Sequence, residues 1–152
     1  MKDINASNIK TFMELVTGAK EPVIVTHAKP DGDAIGSSVA MYHFLGMLGN
    51  SRCRIVLNDD CPRFLKFVRD TVAENDIIVM QNDPITAQKA ISSSDLIICL
   101  DFHAFYRTRD LEEPITSSEA DKILIDHHLF PETDKFKLIF SEPTSSSASE
   151  LL

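Results

Sequence analysis

Histidines and aspartates gather where the apolar runs of this chain stop. The run 23-VIVT-26 is followed by His27, Asp31 and Asp33, within 27-HAKPDGDAIGSS-38. Asp101 directly follows 95-DLIICL-100, and Asp126, His127 and His128 directly follow 122-KILI-125. Carboxylates packed together repel, and without a cation their pKa values are driven apart. One or two divalent metal ions relieve that repulsion. Mixed histidine and carboxylate ligation suits Mn2+, and also Zn2+, Fe2+ or Co2+. Two such ions need a bridging carboxylate, and Asp101, alone at its strand end, is the natural candidate. A pair of this kind activates water near neutral pH and clamps phosphoryl oxygens. His27 and Asp31 span a turn and can return to one ion, while Asp33 can face a second. Gly32 between the aspartates lets the backbone bend tightly.

Each residue also has an ordinary reading. A single aspartate in a turn is usually a turn former, and His127 alone would pass for a core or surface histidine. The joint pattern, each part at a strand end, is what ordinary roles do not explain. His43, inside a helical stretch, reads as structural. His103 reads equally as substrate-facing or structural. Arg107 can bind phosphate with its planar fork or pair with Asp110. Gly36-Ser37-Ser38 lies in the first turns of a helix, where free N–H groups favour an anion, so Ser37 is a candidate substrate contact. Ser146, in the run 145–147, is a helix cap by default and a substrate contact otherwise.

These residues need a frame. Ile9, Phe12, Met13 and Val16 recur at helical spacing over 7–19, with Ser7 as the expected N-cap. A helix is expected over 34–48, with Ile35, Val39, Tyr42 and Leu45 on one face, and Gly49-Asn50 ending it. Strands are expected at 23–26, 53–57, 76–80, 95–100 and 122–125, and an edge strand at 137–140. Shorter helices are expected at 62–68 and 84–91, and 144–152 begins like another. The strands read as apolar on both faces, as buried parallel strands do. Alternating strands and helices imply an α/β, three-layer sandwich: a mostly parallel sheet with helices on both faces. Sites in such sheets collect beyond the carboxyl ends of the strands.

The chain has 152 residues and 43% apolar composition, enough for one domain with a proper core. Its net charge of −8 argues against binding a long nucleic-acid backbone. It leaves room for small phosphorylated substrates if cations supply the positive charge. No stretch reaches a membrane span, and 1-MKDINASNIK-10 lacks the apolar centre of a signal peptide. Three cysteines, Cys53, Cys61 and Cys99, form no CxxC and read as reduced thiols of a cytoplasmic protein.

With these motifs in view, the sequence resembles the DHH phosphoesterase superfamily. The segments 27-HAKPDGDAIGSS-38, 100-LDFHAFYRT-108 and 125-IDHH-128 are similar to its first three motifs. The stretch 145-SSSASELL-152 resembles the serine-rich helix start that follows them. The likeness is strongest to the oligoribonuclease and pAp-phosphatase branch, the nanoRNases, often called exopolyphosphatase-related. It implies a two-Mn2+ site in which His27, Asp31 and Asp101 hold one ion and Asp33, Asp101 and His127 the other. It places His128 beside the substrate phosphate, Asp126 behind a histidine as its orienting partner, and Arg107 as an assisting residue. The catalytic set is then His128, Asp126 and Arg107, with His103, Ser37 and Ser146 as substrate contacts.

Relatives carry a further aspartate beyond the DHH motif and a smaller C-terminal substrate-binding domain, neither of which lies within these residues. The expectation is therefore a catalytic domain over 1–152, truncated, with its second metal site incomplete and its own activity weak or absent. The implied activity is hydrolysis of short oligonucleotides or nucleotide phosphates by metal-activated water, in a cytoplasmic protein that could form a homodimer. Alternatives are a manganese-dependent pyrophosphatase or exopolyphosphatase, and a non-catalytic nucleotide-binding fragment. A phosphoacceptor signalling domain also sets acids at strand ends but gives no role to the histidines.

Overall fold

The structure is a computed structural model that describes residues 4–152; the first three residues of the stretch 1-MKDINASNIK-10 lie outside the described residues. Six strands, β1 (Pro22–Thr26), β2 (Arg54–Leu57), β3 (Ile77–Val79), β4 (Leu96–Leu100), β5 (Asp121–Asp126) and β6 (Leu138–Ser141), form one sheet in the order β3-β2-β1-β4-β5-β6. Every pairing is parallel. The helices are α1 (Ala6–Gly18), α2 (Gly32–Met47), α3 (Lys66–Arg69), α4 (Pro84–Ser93) and α5 (Glu112–Ser117). The expected α/β sandwich is present, and β6 is the expected edge strand.

Side chains alternate across each strand, so one apolar run feeds two cores. Ile98 and Leu100 of β4 pack with Val16 of α1 and Ile35, Val39 and Leu45 of α2. Ile97 and Cys99 of the same strand pack with Ala87 and Ile91 of α4 and Ile115 of α5. Each fully buried aliphatic side chain contributes about 1.5–3 kcal/mol. That burial on both faces is why β4 is an unbroken apolar run.

The chain steps outward from β1 through β2 to β3, then crosses back to place β4 on the other side of β1. The loops after β1 and β4 therefore leave in opposite directions, which opens a crevice at the carboxyl edge of the sheet. The Thr26 hydroxyl donates to Leu100 O at 2.9 Å and ties the two strand ends together.

Several local expectations need correcting. The cap of α1 is Asn5, whose side chain accepts from Asn8 N–H, not Ser7. Helix α2 starts at Gly32, not Ala34, because the Asp31 carboxylate caps it by accepting from the N–H groups of Asp33 and Ala34. Residues 63–65 form a 3-10 turn leading into α3, and 148–151 form a 3-10 turn capped by Ser147. The 3-10 turn Phe105–Leu111 and α5 are additions that the sequence pattern does not announce. No helix among the described residues is long and apolar enough to cross a membrane. All three cysteines are free, and burial pushes the Cys53 thiol up to about 12.

Candidate metal centre

Asp101 stands at the middle of the site. It is the first residue past β4, its backbone takes the left-handed conformation (φ 62°), and its N–H donates to Ile125 O. A non-glycine residue there carries backbone strain, which at a strand end beside a cleft fits a functional position. The carboxylate is 2% exposed, and its Oδ1 has no hydrogen-bond partner. A buried carboxylate oxygen without a donor is costly. Burial above all pushes the Asp101 pKa up, the nearby Asp33 and Asp31 carboxylates add to this, and His27 pulls it down.

The two oxygens of Asp101 face different histidines. Oδ2 is 3.5 Å from His27 Nε2, and Oδ1 is 3.3 Å from His127 Nε2. Two ligands each about 2.1 Å from one ion stand roughly 3.0–3.4 Å apart. His27 Nε2 is also 3.8 Å from Asp31 Oδ1, and His127 Nε2 is 3.5 Å from Asp33 Oδ2. Two triads result, His27–Asp31–Asp101 and Asp33–Asp101–His127, sharing Asp101. His27 Nδ1 faces its neighbour's carbonyl, Ala28 O, at 2.8 Å, which fixes Nδ1 as the protonated nitrogen and leaves the Nε2 lone pair for a ligand. Burial works against charging His27, but the hydrogen bond with Asp101 and the contact with Ala28 O outweigh it, so its pKa lies above the usual value.

His128 also lies near Asp101, with Nδ1 3.9 Å from Oδ1. That nitrogen is already committed: Asp126 Oδ1 sits 2.7 Å away, and Asp126 Oδ2 accepts from the His128 backbone N–H. Asp33 is therefore the better third member of the second triad. Asp126 is fully buried and holds the His128 ring through Nδ1. The His103 ring lies 5.7 Å from the His128 ring, which puts His103 at the margin of the site.

The cluster passes a simple fit test for divalent cations. The donors are imidazole nitrogens and carboxylate oxygens; His27–Asp31–Asp101 and Asp101–His127–His128 each bring three donor atoms close enough for one ion, Asp33 Oδ2 lies 3.5 Å from His127 Nε2, and the buried Oδ1 of Asp101 has no hydrogen-bond partner. Strand ends, the N-cap of α2 and its first turn supply every candidate donor, so rigid elements set the spacing.

Other candidates fall elsewhere. Ser37 is fully buried in α2, and its hydroxyl donates to Asp33 O at 2.7 Å, so it is not offered to a ligand; the expectation of substrate contact is corrected. The cause is the earlier helix start, which also places the N–H groups of 36–38 inside the helix rather than in its open first turn. The Ser146 hydroxyl donates to Glu150 Oε2 at 2.9 Å, and within the run 145–147 the cap is Ser147. Arg107 does not pair with Asp110, whose carboxylate accepts from Gln81; it lines a cleft with His27, Lys29, Tyr106 and Arg109. The residues missed from sequence are Ala148 and Ser149, whose N–H groups and Ser149 hydroxyl donate to the Asp33 carboxylate. The serine-rich stretch is the one signal for them.

Known proteins share this fold. The model of the DHH family, N-terminal domain, matches residues 22–152. An exopolyphosphatase-related protein from Bacteroides fragilis is 38% identical and superposes with a TM-score of 0.90, over 99% of this chain and 43% of that one. The bifunctional oligoribonuclease and PAP phosphatase NrnA of Thermus thermophilus is 43% identical over 61 residues, 40% of this chain and 18% of that protein. RecJ from Thermus thermophilus, solved in complex with Mn2+, shares the fold at 15% identity and a TM-score of 0.50, over 94% of this chain and 18% of that one. The chain thus spans less than half the length of these proteins. With the family model matching nearly all of its described residues, the chain belongs to the DHH family.

Proposed function

We propose that this chain is the cation-holding part of a metal-dependent phosphoesterase that hydrolyses short oligonucleotides and nucleotide phosphates such as pAp. The observation that carries the reading is Asp101, a buried carboxylate whose two oxygens face His27 and His127 separately. His27, Asp31 and Asp101 would hold one divalent cation and Asp33, Asp101 and His127 a second. The Mn2+ with which RecJ was solved supports manganese as the first metal to test. When bound, the cations would supply an activated water and neutralise phosphoryl charge.

The remaining residues act around that pair. Asp126 holds His128 so that Nε2 can exchange a proton or a hydrogen bond with a phosphoryl oxygen at the cleft. Arg107 borders the cleft that includes His27 and can offer its planar fork to phosphate. The names of the relatives, which include an oligoribonuclease and PAP phosphatase, support the substrate class. Three free thiols fit a cytoplasmic setting. The relatives' greater length supports a second, substrate-holding part, so the 152 residues alone are expected to turn over slowly.

The test is to supply Mn2+ to the purified chain with pAp, a short RNA, pyrophosphate and polyphosphate, and follow nucleotide and phosphate release. Turnover of the RNA and pAp, lost in Asp101→Asn, is expected. Release from pyrophosphate or polyphosphate alone would assign the chain to that other class. Nucleotide binding with Mn2+ but no turnover of any substrate would make it a binding module.

A further inference from the structure

We propose that a cleft beside the cation cluster is a second anion subsite, one that takes a phosphate group other than the one being hydrolysed. The cleft has a volume of about 500 Å3 and is lined by His27, Ala28, Lys29, Tyr106, Arg107 and Arg109. The proposal rests on the phosphoesterase reading for its first phosphate, since His27 belongs both to this wall and to the ligand cluster. A ligand seated there reaches the cation site without leaving the protein surface.

Charge is the first argument. The chain holds 15 Lys and Arg against 23 Asp and Glu, yet three of the six wall residues are cations. The carboxylate facing them is Asp59, which accepts from Lys29 N–H at 2.7 Å and lies within the field of Arg109. Lys29, Arg107 and Arg109 thus outnumber Asp59 on their side of the cleft, while Asp31 and Asp101 lie at its His27 end. The Arg107 side chain has no ion pair or hydrogen bond with a described residue. A free guanidinium is a ready bidentate partner for phosphate.

The cleft is also built in advance. Its walls come from the loops after β1 and β4, which are stitched by Ala28 N–H to Arg107 O at 2.8 Å. Asn58, buried at the end of β2, binds both sides at once: its Nδ2 donates to Asp59 Oδ2 at 3.0 Å, and its Oδ1 accepts from Asp110 N–H at 3.1 Å. Lys29 and Arg109 both sit in the left-handed region, with φ of 52° and 56°. Long basic residues rarely take that conformation, and here the surrounding hydrogen bonds hold both in it. Tyr106, largely exposed, offers a ring face on which a base could stack. The ligand class is therefore a nucleotide with a second phosphate.

The test uses Lys29→Gln/Arg109→Gln, which removes two charges at near-constant length and touches no proposed metal ligand. Adenosine 3′,5′-bisphosphate and adenosine 5′-monophosphate are titrated by calorimetry into the wild-type chain and the variant, with Mn2+ and again in chelator. The wild type should prefer the bisphosphate by about tenfold or more, and the variant should lose that preference while keeping its Mn2+ affinity. On the wild type alone, the bisphosphate in chelator should shift the amide resonances of Lys29, Arg107 and Arg109, and adenosine, which carries no phosphate, should not. A wild type without preference, a variant that keeps it, or shifts that avoid the cleft would each overturn the subsite. A chain that prefers the bisphosphate in chelator but binds no Mn2+ would overturn the phosphoesterase reading and leave the subsite standing.

Discussion

The Asp33 carboxylate is held by Ser149, which lies 116 residues further along the chain: Oδ1 accepts the Ser149 hydroxyl at 2.6 Å and its backbone N–H at 2.9 Å. Oδ2 accepts the N–H of Ala148 at 2.7 Å and still lies 3.5 Å from His127 Nε2. One carboxylate thus binds the N–H groups that open the turn at 148–151 and lies within reach of His127 in the candidate metal centre. Any shift of that turn moves a candidate metal ligand.

Ser149→Ala should destabilise the chelated protein by about 1 kcal/mol at pH 7, with much less effect in acid. Burial alone would raise the Asp33 pKa, but the hydrogen bonds from Ser149 and Ala148 outweigh it and hold it below its ordinary 3.8. A carboxyl lowered on folding stabilises the protein above its ordinary value and ceases to as pH falls through the folded value. Urea denaturation of both proteins at neutral pH and near pH 3 reads the difference. Equal stability at pH 7 would mean the contact does not hold Asp33.

Asp101→Asn should leave the chelated protein at least as stable as wild type at pH 8, and should abolish its stabilisation by Mn2+. The Asp101 pKa is raised on folding, so the folded state keeps this proton to higher pH than the unfolded chain. Its ionisation therefore costs stability as pH rises above the ordinary 3.8. The amide keeps the shape and removes the charge. A cation present at about 100 times its dissociation constant adds about 2.7 kcal/mol, so melting curves with and without Mn2+ resolve the effect. A variant that still gains stability from Mn2+ would show that Asp101 does not bridge.

Asp126→Asn should change the tautomer of His128 while leaving Mn2+ affinity at the His27 triad intact. The 2.7 Å contact makes Nδ1 of His128 the protonated nitrogen. An amide in that position no longer enforces this, and turnover should fall by about 10–100-fold. Imidazole nitrogen shifts report the tautomer directly. Wild-type shifts showing a proton on Nε2 would remove the orienting role from Asp126.

The amino-acid sequence by itself determined the frame and most of the residues that gather at the rim of the sheet. An apolar run buried on both faces needs no distant partner to be read, and a polar residue that ends it must lie at the rim of the sheet. His27, Asp101 and His127 were legible in this way, because parallel strands finish at one edge, and Asp31 and Asp33 by their place in the turn between β1 and α2. Segments too short to show a period were not: the turn at 105–111 and α5 carry too few residues for a helical repeat. A boundary two residues off was enough to misplace Ser37, since only the first four N–H groups of a helix lack an intrahelical partner. Only the tertiary structure decided which side chains share a partner. The hold of Ser149 on Asp33 and the cleft that Lys29 and Arg109 both line join segments far apart in the chain, and no local pattern records them. Local order follows from neighbours, whereas these contacts depend on how the order of the strands brings distant loops to one edge of the sheet.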